Sequence, residues 1–542
     1  MSENRRIARA AGVVGIFTLL SRIAGLARDV AVGYFFGTGA AADAFFVAFR
    51  IPNLLRRFVA EGAMSIALIP VFTDYVTNRT RQETEEAMSA VATLMALVLL
   101  VLTAAGVLFA PELTALFAPG FAGDPEKFQL TIDLTRRVFP FIFLVSMVAL
   151  ATGVLHSVRH FAAPALAPVL LNLAIITAAL FSQDFEEPVL ALAWGVIVGG
   201  VAQILIQIPP IVRAGLHLRP LWQPRHPAVR RSLLLMAPML FGAAVYQINI
   251  LVSTVFASLL PSGSVSFLWY ADRVFEFPLG IFAVALGTAV LPSFSTQAAR
   301  GARDEMWRSL SFAMRVMTLI VVPATVGLFV LAEPITNVLF QRGAYTHEQV
   351  VQTAFALRAY TVGLWSVSMA RLVVPAFYAL GDTRVPVQCA AIAFVANLAA
   401  SLMLMGPVPA DGGAAVGLIA RLSEALCVMD LRHAGLALAT SIAATVNFGF
   451  LVIILGRRLP DLRLADLAPS LGRSLLAASA MGPVVAFLAT FADFTGSGGV
   501  LWRATVLAAA VAGGGGVYAA VLLMTGGEET AALRRVVVAR LK

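Results

Sequence analysis

The chain has 542 residues, of which 59% are hydrophobic and only 13% charged; soluble globular proteins carry about 25% charged residues, so a soluble fold is excluded. Its net charge of +9 would suggest a nucleic-acid partner in a soluble protein. Here the basic residues mostly fill short gaps between apolar runs, which is a topology signal and not a nucleic-acid surface. Cys389 and Cys427 lie in different segments and support neither a disulfide framework nor a zinc site.

Apolar runs of the ~20 residues needed to cross a ~30 Å hydrocarbon core follow one another almost without pause. They are continuous rather than alternating, so helices are predicted and not a barrel. The expected class is an all-α polytopic membrane protein with about fourteen spans: 11–36, 41–75, 87–110, 131–156, 162–181, 188–210, 232–259, 265–297, 309–331, 352–378, 385–406, 434–456, 470–492 and 500–524. The N-terminus begins like a secretory signal, but Arg22 and Arg28 interrupt its apolar stretch and no small-residue cleavage site follows. A retained first helix is predicted.

The first two spans carry charge where it does not belong. Arg22, Arg28, Asp29, Asp43, Arg50, Arg56, Arg57 and Glu61 all sit in apolar sequence, and a charge at mid-bilayer costs roughly 2.5–3.5 kcal/mol. These side chains must face a protein interior or a water-filled cavity. Along one helix from Asp43, the positions Arg50, Arg57 and Glu61 share a face. Arg56 falls off that face unless Pro52 bends the helix. In the first span Arg22 and Asp29 are two turns apart, with Gly25 between them allowing close backbone approach. Mutual pairing that merely holds helices together is one reading. Arginine outnumbers carboxylate five to three in these spans, and a functional anion site is favoured.

With the N-terminus in the cytoplasm, the arginines of the interhelical loops fall mostly on that side. The opposite loops GTGAA, SQDFEEP, LPSGS and FADFTGSGG hold no Lys or Arg, so both termini are expected to be cytoplasmic. The organisation is 1–210 as an N-terminal lobe, 211–231 as a basic cytoplasmic linker, 232–456 as a C-terminal lobe with a periplasmic insertion near 408–433, and 457–542 as two further spans and a tail. The linker, IVRAGLHLRPLWQPRHPAVRR, either lies on the anionic inner leaflet through Trp222 and its arginines or is simply solvated. An echo links the halves: ADAFFVAFR with ALIPVFTDY against LWYADRVFE with AVLPSFSTQ, placing Pro70 and Pro292 222 positions apart, each expected to close a long helix. Transporter folds commonly contain such repeats. Glycines 513–516 either permit close packing or loosen the last helix.

In the second half YADRVFEFP repeats the charge anomaly with Asp272, Arg273 and Glu276. Arg273 and Glu276 are i,i+3 neighbours able to pair locally; otherwise Arg273 borders an anion cavity. Arginine suits phosphate because its planar fork makes bidentate bonds and stays charged when desolvated. Lys127 and Lys542 are the only lysines, so no phosphate-cradling GxxxxGK[ST] loop exists. His156 and His160 have metal-like spacing without a third ligand, and no Ser/His/Asp signature is present. Gln247, Asn249, Asn397, Thr445 and Asn447 offer oxygen to a monovalent cation, although interhelical hydrogen bonding is the preferred role.

The strings SRIAGLARD, ADAFFVAFRIPNLLRRFVAEGAMSIALIPVF, LAPVLLN, LALAWGVIVGG, GSVSFLWYADRVFEFPLGIFAVALGTAVLPS and PAFYALGDTRVPV resemble the MurJ (MviN) family of lipid II flippases. That family belongs to the multidrug/oligosaccharidyl-lipid/polysaccharide (MOP) exporter superfamily, and the likeness runs from about residue 8 to the end. It implies fourteen helices, two six-helix lobes about a central cationic cavity, and two C-terminal helices forming a lipid-tail groove. The implied substrate is undecaprenyl-pyrophosphate disaccharide-pentapeptide, flipped from inner to outer leaflet of the bacterial cytoplasmic membrane for peptidoglycan synthesis. By motif, the family's essential arginines fall on Arg22, Arg28, Arg56 and Arg273, and its secondary charged or gating positions on Asp29, Asp43, Arg50, Glu61 and Glu276.

Two departures stand out. Residues 408–433 look like an insertion where relatives turn tightly, with a short amphipathic helix expected. The carboxylates of the sodium site found in some relatives are missing from the matching helices. The expectation is therefore a transporter and not an enzyme, with no cofactor, no metal and no nucleic acid. Coupling would be to a monovalent cation or the membrane potential, and the partners are lipid II, the bilayer and cell-wall synthesis proteins. The rival readings are a cation-coupled drug exporter or other polyprenyl-glycan exporter of the same superfamily, a polyprenyl-phosphate enzyme, and a non-transport scaffold.

Overall fold

The structure is a computed structural model, and it describes residues 3–56, 65–410, 414–458, 464–496 and 499–527. These residues are almost entirely helical, and among them the only β pairing is one bridge between Met405 and Asp430. The all-α class follows directly. Contacts divide the chain into two units, Met1–Ser266 and Phe267–Lys542.

The first unit contains α1 (Glu3–Phe36), α2 (Ala40–Arg56), α3 (Ser65–Asn78), α4 (Arg81–Leu108), α5 (Ala110–Phe117), α6 (Pro125–Val138), α7 (Phe141–Ser157), α8 (Ala162–Leu180), α9 (Leu190–Leu205), α10 (Ile208–Arg213) and α11 (Pro227–Ser258). Helix starts follow local chemistry. A Thr80/Glu83 capping box opens α4, and Asp124 caps α6 ahead of Pro125, each pairing backbone N–H groups that the first turn leaves without partners. α1 packs on α8, α8 on α9, α2 on α6, and α3 on α7. Leu68, Phe72, Met88, Val91, Leu150, Val154 and Leu155 form one core between α3, α4 and α7.

The linker predicted at 211–231 belongs to this unit; most of its side chains are exposed, while its backbone is tied down. Its extended stretch lies along α4: the N–H groups of His217, Arg219 and Leu221 donate to Glu85 Oε1, Ser89 Oγ and Thr93 Oγ1 at 3.3, 3.1 and 2.8 Å. Two extended residues advance about 6.6 Å and four helical residues about 6 Å, so every second amide meets the next turn of the helix. Arg81 donates to the Gly215 carbonyl, and Arg231 pairs with Asp74 at 2.7 Å.

The second unit holds α12 (Ser264–Pro278, which starts just before the boundary), α13 (Val284–Ala299), α14 (Arg303–Val330), α15 (Ala332–Phe340), α16 (His347–Thr361), α17 (Leu364–Ala379), α18 (Arg384–Leu404), α19 (Ala414–Leu426), α20 (Arg432–Arg458), α21 (Ala468–Ala489) and α22 (Val500–Thr525). A widened π turn, Leu279–Ala283, joins α12 to α13 immediately after Pro278, where the missing proline N–H breaks the regular ladder. α18 packs on α20, α14 on α21, and α21 on α22. Gly514 faces α21 so closely that a Cβ there would lie 2.3 Å from Val485 Cγ2, whereas Gly515 and Gly516 face open space. Part of the glycine run is thus a packing surface.

Among the described residues ten helices are long and apolar enough to cross a membrane, or eleven when α16 and α17, bent by 44°, count as one span. The predicted spans 11–36, 41–75 and 232–259 are not among these, and residues 57–64 of the second lie outside the described residues, so the described residues do not confirm a total of fourteen. Pro70 and Pro292 lie inside α3 and α13, which continue beyond them; neither proline closes its helix.

Candidate anion site on the membrane helices

The charges of α1 are not equivalent. Arg22 is exposed, whereas Arg28 and Asp29 are buried. Arg28 donates to one Asp29 oxygen from Nε and Nη2, at 3.1 and 2.8 Å, and from Nη1 to Asn172 Oδ1 at 3.2 Å. Asn172 stands on α8 and its amide donates back to the Ser21 carbonyl at 3.3 Å, so one side chain both holds the guanidinium and ties α8 to α1. Asn172 closes the string LAPVLLN; its link to Arg28 was not anticipated. A Cβ at Gly25 would sit at an ordinary 3.7 Å from Asn172 Nδ2, so no close approach there demands glycine.

α2 continues as helix through Pro52 to Arg56. Arg50 donates to Thr254 Oγ1 of α11 at 2.8 Å, and Arg56 is half-buried. Arg57 and the predicted gate residue Glu61 lie outside the described residues. Asp43 is 1% exposed and is bound by Lys127 Nζ (2.8 Å), the N–H of Gly263 (2.7 Å), and the N–H and Oγ of Ser266 (2.9 and 2.6 Å), all within the first unit. Lys127 also lies 4.0 Å from the centre of the Phe121 ring. Sequence reasoning used Lys127 only to exclude a phosphate loop. The available signal was that it is the sole lysine before the C-terminal residue.

In the second unit, Arg273 pairs with Glu276 at 3.3 Å and stacks over Trp269, its Cζ 4.7 Å from the ring centre. The i,i+3 pairing weighed from sequence is therefore present. Both side chains keep about a third or more of their surface accessible, 34% and 45%. A further buried guanidinium was not foreseen: Arg503, 2% exposed on α22, donates to Asn337 Oδ1 at 2.6 Å and to the Gly496 carbonyl. Thr445 meets Ser366 at 3.0 Å between α20 and α17, the interhelical role preferred for it.

Chemically, Arg28–Asp29 and Arg273–Glu276 are net-neutral pairs, and an anion would have to displace the carboxylate to reach either guanidinium. A phosphate group offers the guanidinium the same bidentate geometry as a carboxylate with more charge. Arg28 is already desolvated and oriented, whereas Arg273 is oriented by Glu276 and Trp269 but stays partly accessible.

Ten or eleven membrane-length helices among the described residues define a polytopic membrane protein. The fold agrees: a structure described as an inward-facing multidrug resistance MATE family transporter of the MOP superfamily is similar over 82% of this chain and 94% of that one, with TM-score 0.56 at 15% identity, a likeness of fold alone. Within that class the chain belongs to the MurJ family of lipid II flippases. The family model "Lipid II flippase MurJ" matches residues 32–505. The "Lipid II flippase MurJ" of Burkholderia cenocepacia is 38% identical over 455 residues, 83% of each chain. The "Probable lipid II flippase MurJ" of Vibrio cholerae is 36% identical over 459 residues, again 83% of each. A solved "Lipid II flippase MurJ, inward closed conformation" is similar with TM-score 0.73 and 25% identity, over 93% of this chain and 98% of that one.

Proposed function

We propose that this protein flips lipid II from the inner to the outer leaflet of the bacterial cytoplasmic membrane, with Arg22, Arg28, Arg56 and Arg273 binding the pyrophosphate. Likeness to named lipid II flippases over 83% of the chain carries the reading. The buried Arg28–Asp29–Asn172 cluster supports the site, since charge inside membrane helices is a functional feature by default. Asp29 and Glu276 are the resting partners of Arg28 and Arg273, and Asp43, Arg50 and Glu61 serve as secondary cavity or gating positions. Both termini are cytoplasmic, a reading supported by the outer loops GTGAA, SQDFEEP, LPSGS and FADFTGSGG, which hold no Lys or Arg.

Transport is alternating access without ATP hydrolysis. The headgroup enters from the cytoplasmic side, displaces the carboxylates from the arginines, and leaves outside when the pairs re-form. An inside-negative potential favours outward movement of a negative headgroup by ~2.3 kcal/mol per charge per 100 mV; a monovalent cation is the second candidate for coupling. Complementation of flippase-depleted cells tests this. Arg28→Ala is expected to abolish growth at wild-type protein abundance, and Arg28→Lys to restore it only partly because the fork is lost. Full growth with Arg28→Ala overturns the assignment.

A further inference from the structure

The insertion near 408–433 has no role in the transport scheme, yet it forms a regular helix, α19, with three distinct sides. Val416, Ala420 and Ser423 are buried on the side that packs against α18. Leu418, Leu422 and Leu426 are 59, 38 and 44% exposed, and Val428 and Met429 beyond them 64 and 52%. Arg421 and Glu424 are also exposed, on the third side. At 100° per residue the three leucines span an arc of about 80° and the two charges a separate arc of about 60°.

The helix is held at one height. Ser423 Oγ accepts from the Val408 N–H at 3.3 Å, and the Met403 carbonyl accepts from the N–H groups of Val428 and Met429 at 2.9 and 3.2 Å. The Leu431 N–H reaches the Leu404 carbonyl at 3.0 Å. α18 has 21 residues, about 30 Å of rise, which matches the hydrocarbon thickness. Its last turn therefore stands at the boundary of the hydrocarbon, and α19 is tied to that turn. The exposed leucines also continue the exposed apolar face of α18, where Ile392, Val395 and Met403 are 41, 60 and 40% exposed.

We infer that α19 lies in the membrane–water boundary, with Leu418, Leu422, Leu426, Val428 and Met429 in contact with bilayer lipid and Arg421 and Glu424 in water. A helix with an apolar arc and a separate charged arc, its third side packed on protein, suits a position in the interface plane. That the leaflet is the outer one rests on the topology proposed above.

The test uses the full chain with Cys389→Ser and Cys427→Ser, reconstituted in phosphatidylethanolamine/phosphatidylglycerol liposomes. Nitroxide labels at Leu418→Cys, Leu422→Cys and Glu424→Cys are compared for collision with oxygen and with a water-soluble nickel chelate. Oxygen is expected to dominate at 418 and 422, and the nickel chelate at 424. Nickel dominance at the leucine positions, or low collision with both reagents there, which marks cover by protein or a second copy, overturns the inference. An impermeant maleimide on intact spheroplasts then reads the leaflet at Glu424→Cys. Labelling only in inverted vesicles overturns the topology while leaving the lipid contact standing.

Discussion

The ion pair between Lys127 and Asp43 gives the sharpest energetic expectation. Lys127→Met preserves the apolar stem of the side chain and removes the ammonium from a carboxylate that is 1% exposed. Removing one partner of a buried pair costs about 3–5 kcal/mol, because the other charge stays buried. Asp43 keeps three hydrogen bonds, from the Gly263 and Ser266 N–H groups and the Ser266 hydroxyl, so the loss is expected at the low end, about 3 kcal/mol. The double variant Lys127→Met/Asp43→Asn removes both charges and is expected to be more stable than the single variants predict, with a coupling of about 1–3 kcal/mol. The measurement is the unfolding free energy of the purified chain in mixed micelles titrated with denaturing detergent. A cost below about 1 kcal/mol for Lys127→Met, or strict additivity in the double variant, refutes the claim that this pair is a buried electrostatic unit.

Two further outcomes follow from packing and titration. Gly514→Val drives a side chain into Val485 and Met481 and is expected to lower stability by about 1–3 kcal/mol, while Gly515→Ala meets open space and is expected to be neutral or stabilising; melting temperatures in detergent distinguish them. Asp382, between α17 and α18, accepts from the N–H groups of Val385 and Arg384 and pairs with Arg458, and these hold its carboxyl below the ordinary value of 3.8. A depressed folded-state pKa contributes stability that is fully present above about pH 4 and is lost as pH falls through the folded value. The wild type is therefore expected to lose melting temperature faster than Asp382→Asn below about pH 4, and parallel profiles count against the capping role.

Much of this was legible in the chain. Apolar runs and arginine-poor loops located the membrane helices, because the hydrocarbon thickness fixes their length whatever the fold. The anomalous charges of α1 and α12 were visible for the same reason, and the local partner of Arg273 followed from helix periodicity. What was not legible were partners set by tertiary packing. Asn172 lies 144 positions from Arg28, and Lys127 lies 84 from Asp43; no spacing rule connects them. Arg503 escaped notice because the partner that encloses it, Asn337, lies 166 positions away and is brought there by packing, beside the Gly496 carbonyl. The backbone ties of the linker were hidden for a different reason: its composition is that of a solvated loop, and the alternate-amide match to α4 depends on conformation, which composition does not carry.

That strap along α4 has a consequence for how the segment tolerates change. Its length is metered by the pitch of the helix beneath it, so the exposed side chains at His217 and Arg219 can vary while Leu218, packed on the core, and the residue count between His217 and Leu221 cannot. A single inserted residue would slide each amide half a repeat off its oxygen and turn Arg219 to the opposite side. The stretch behaves as a ruler laid against a screw thread, intolerant of one graduation more or less.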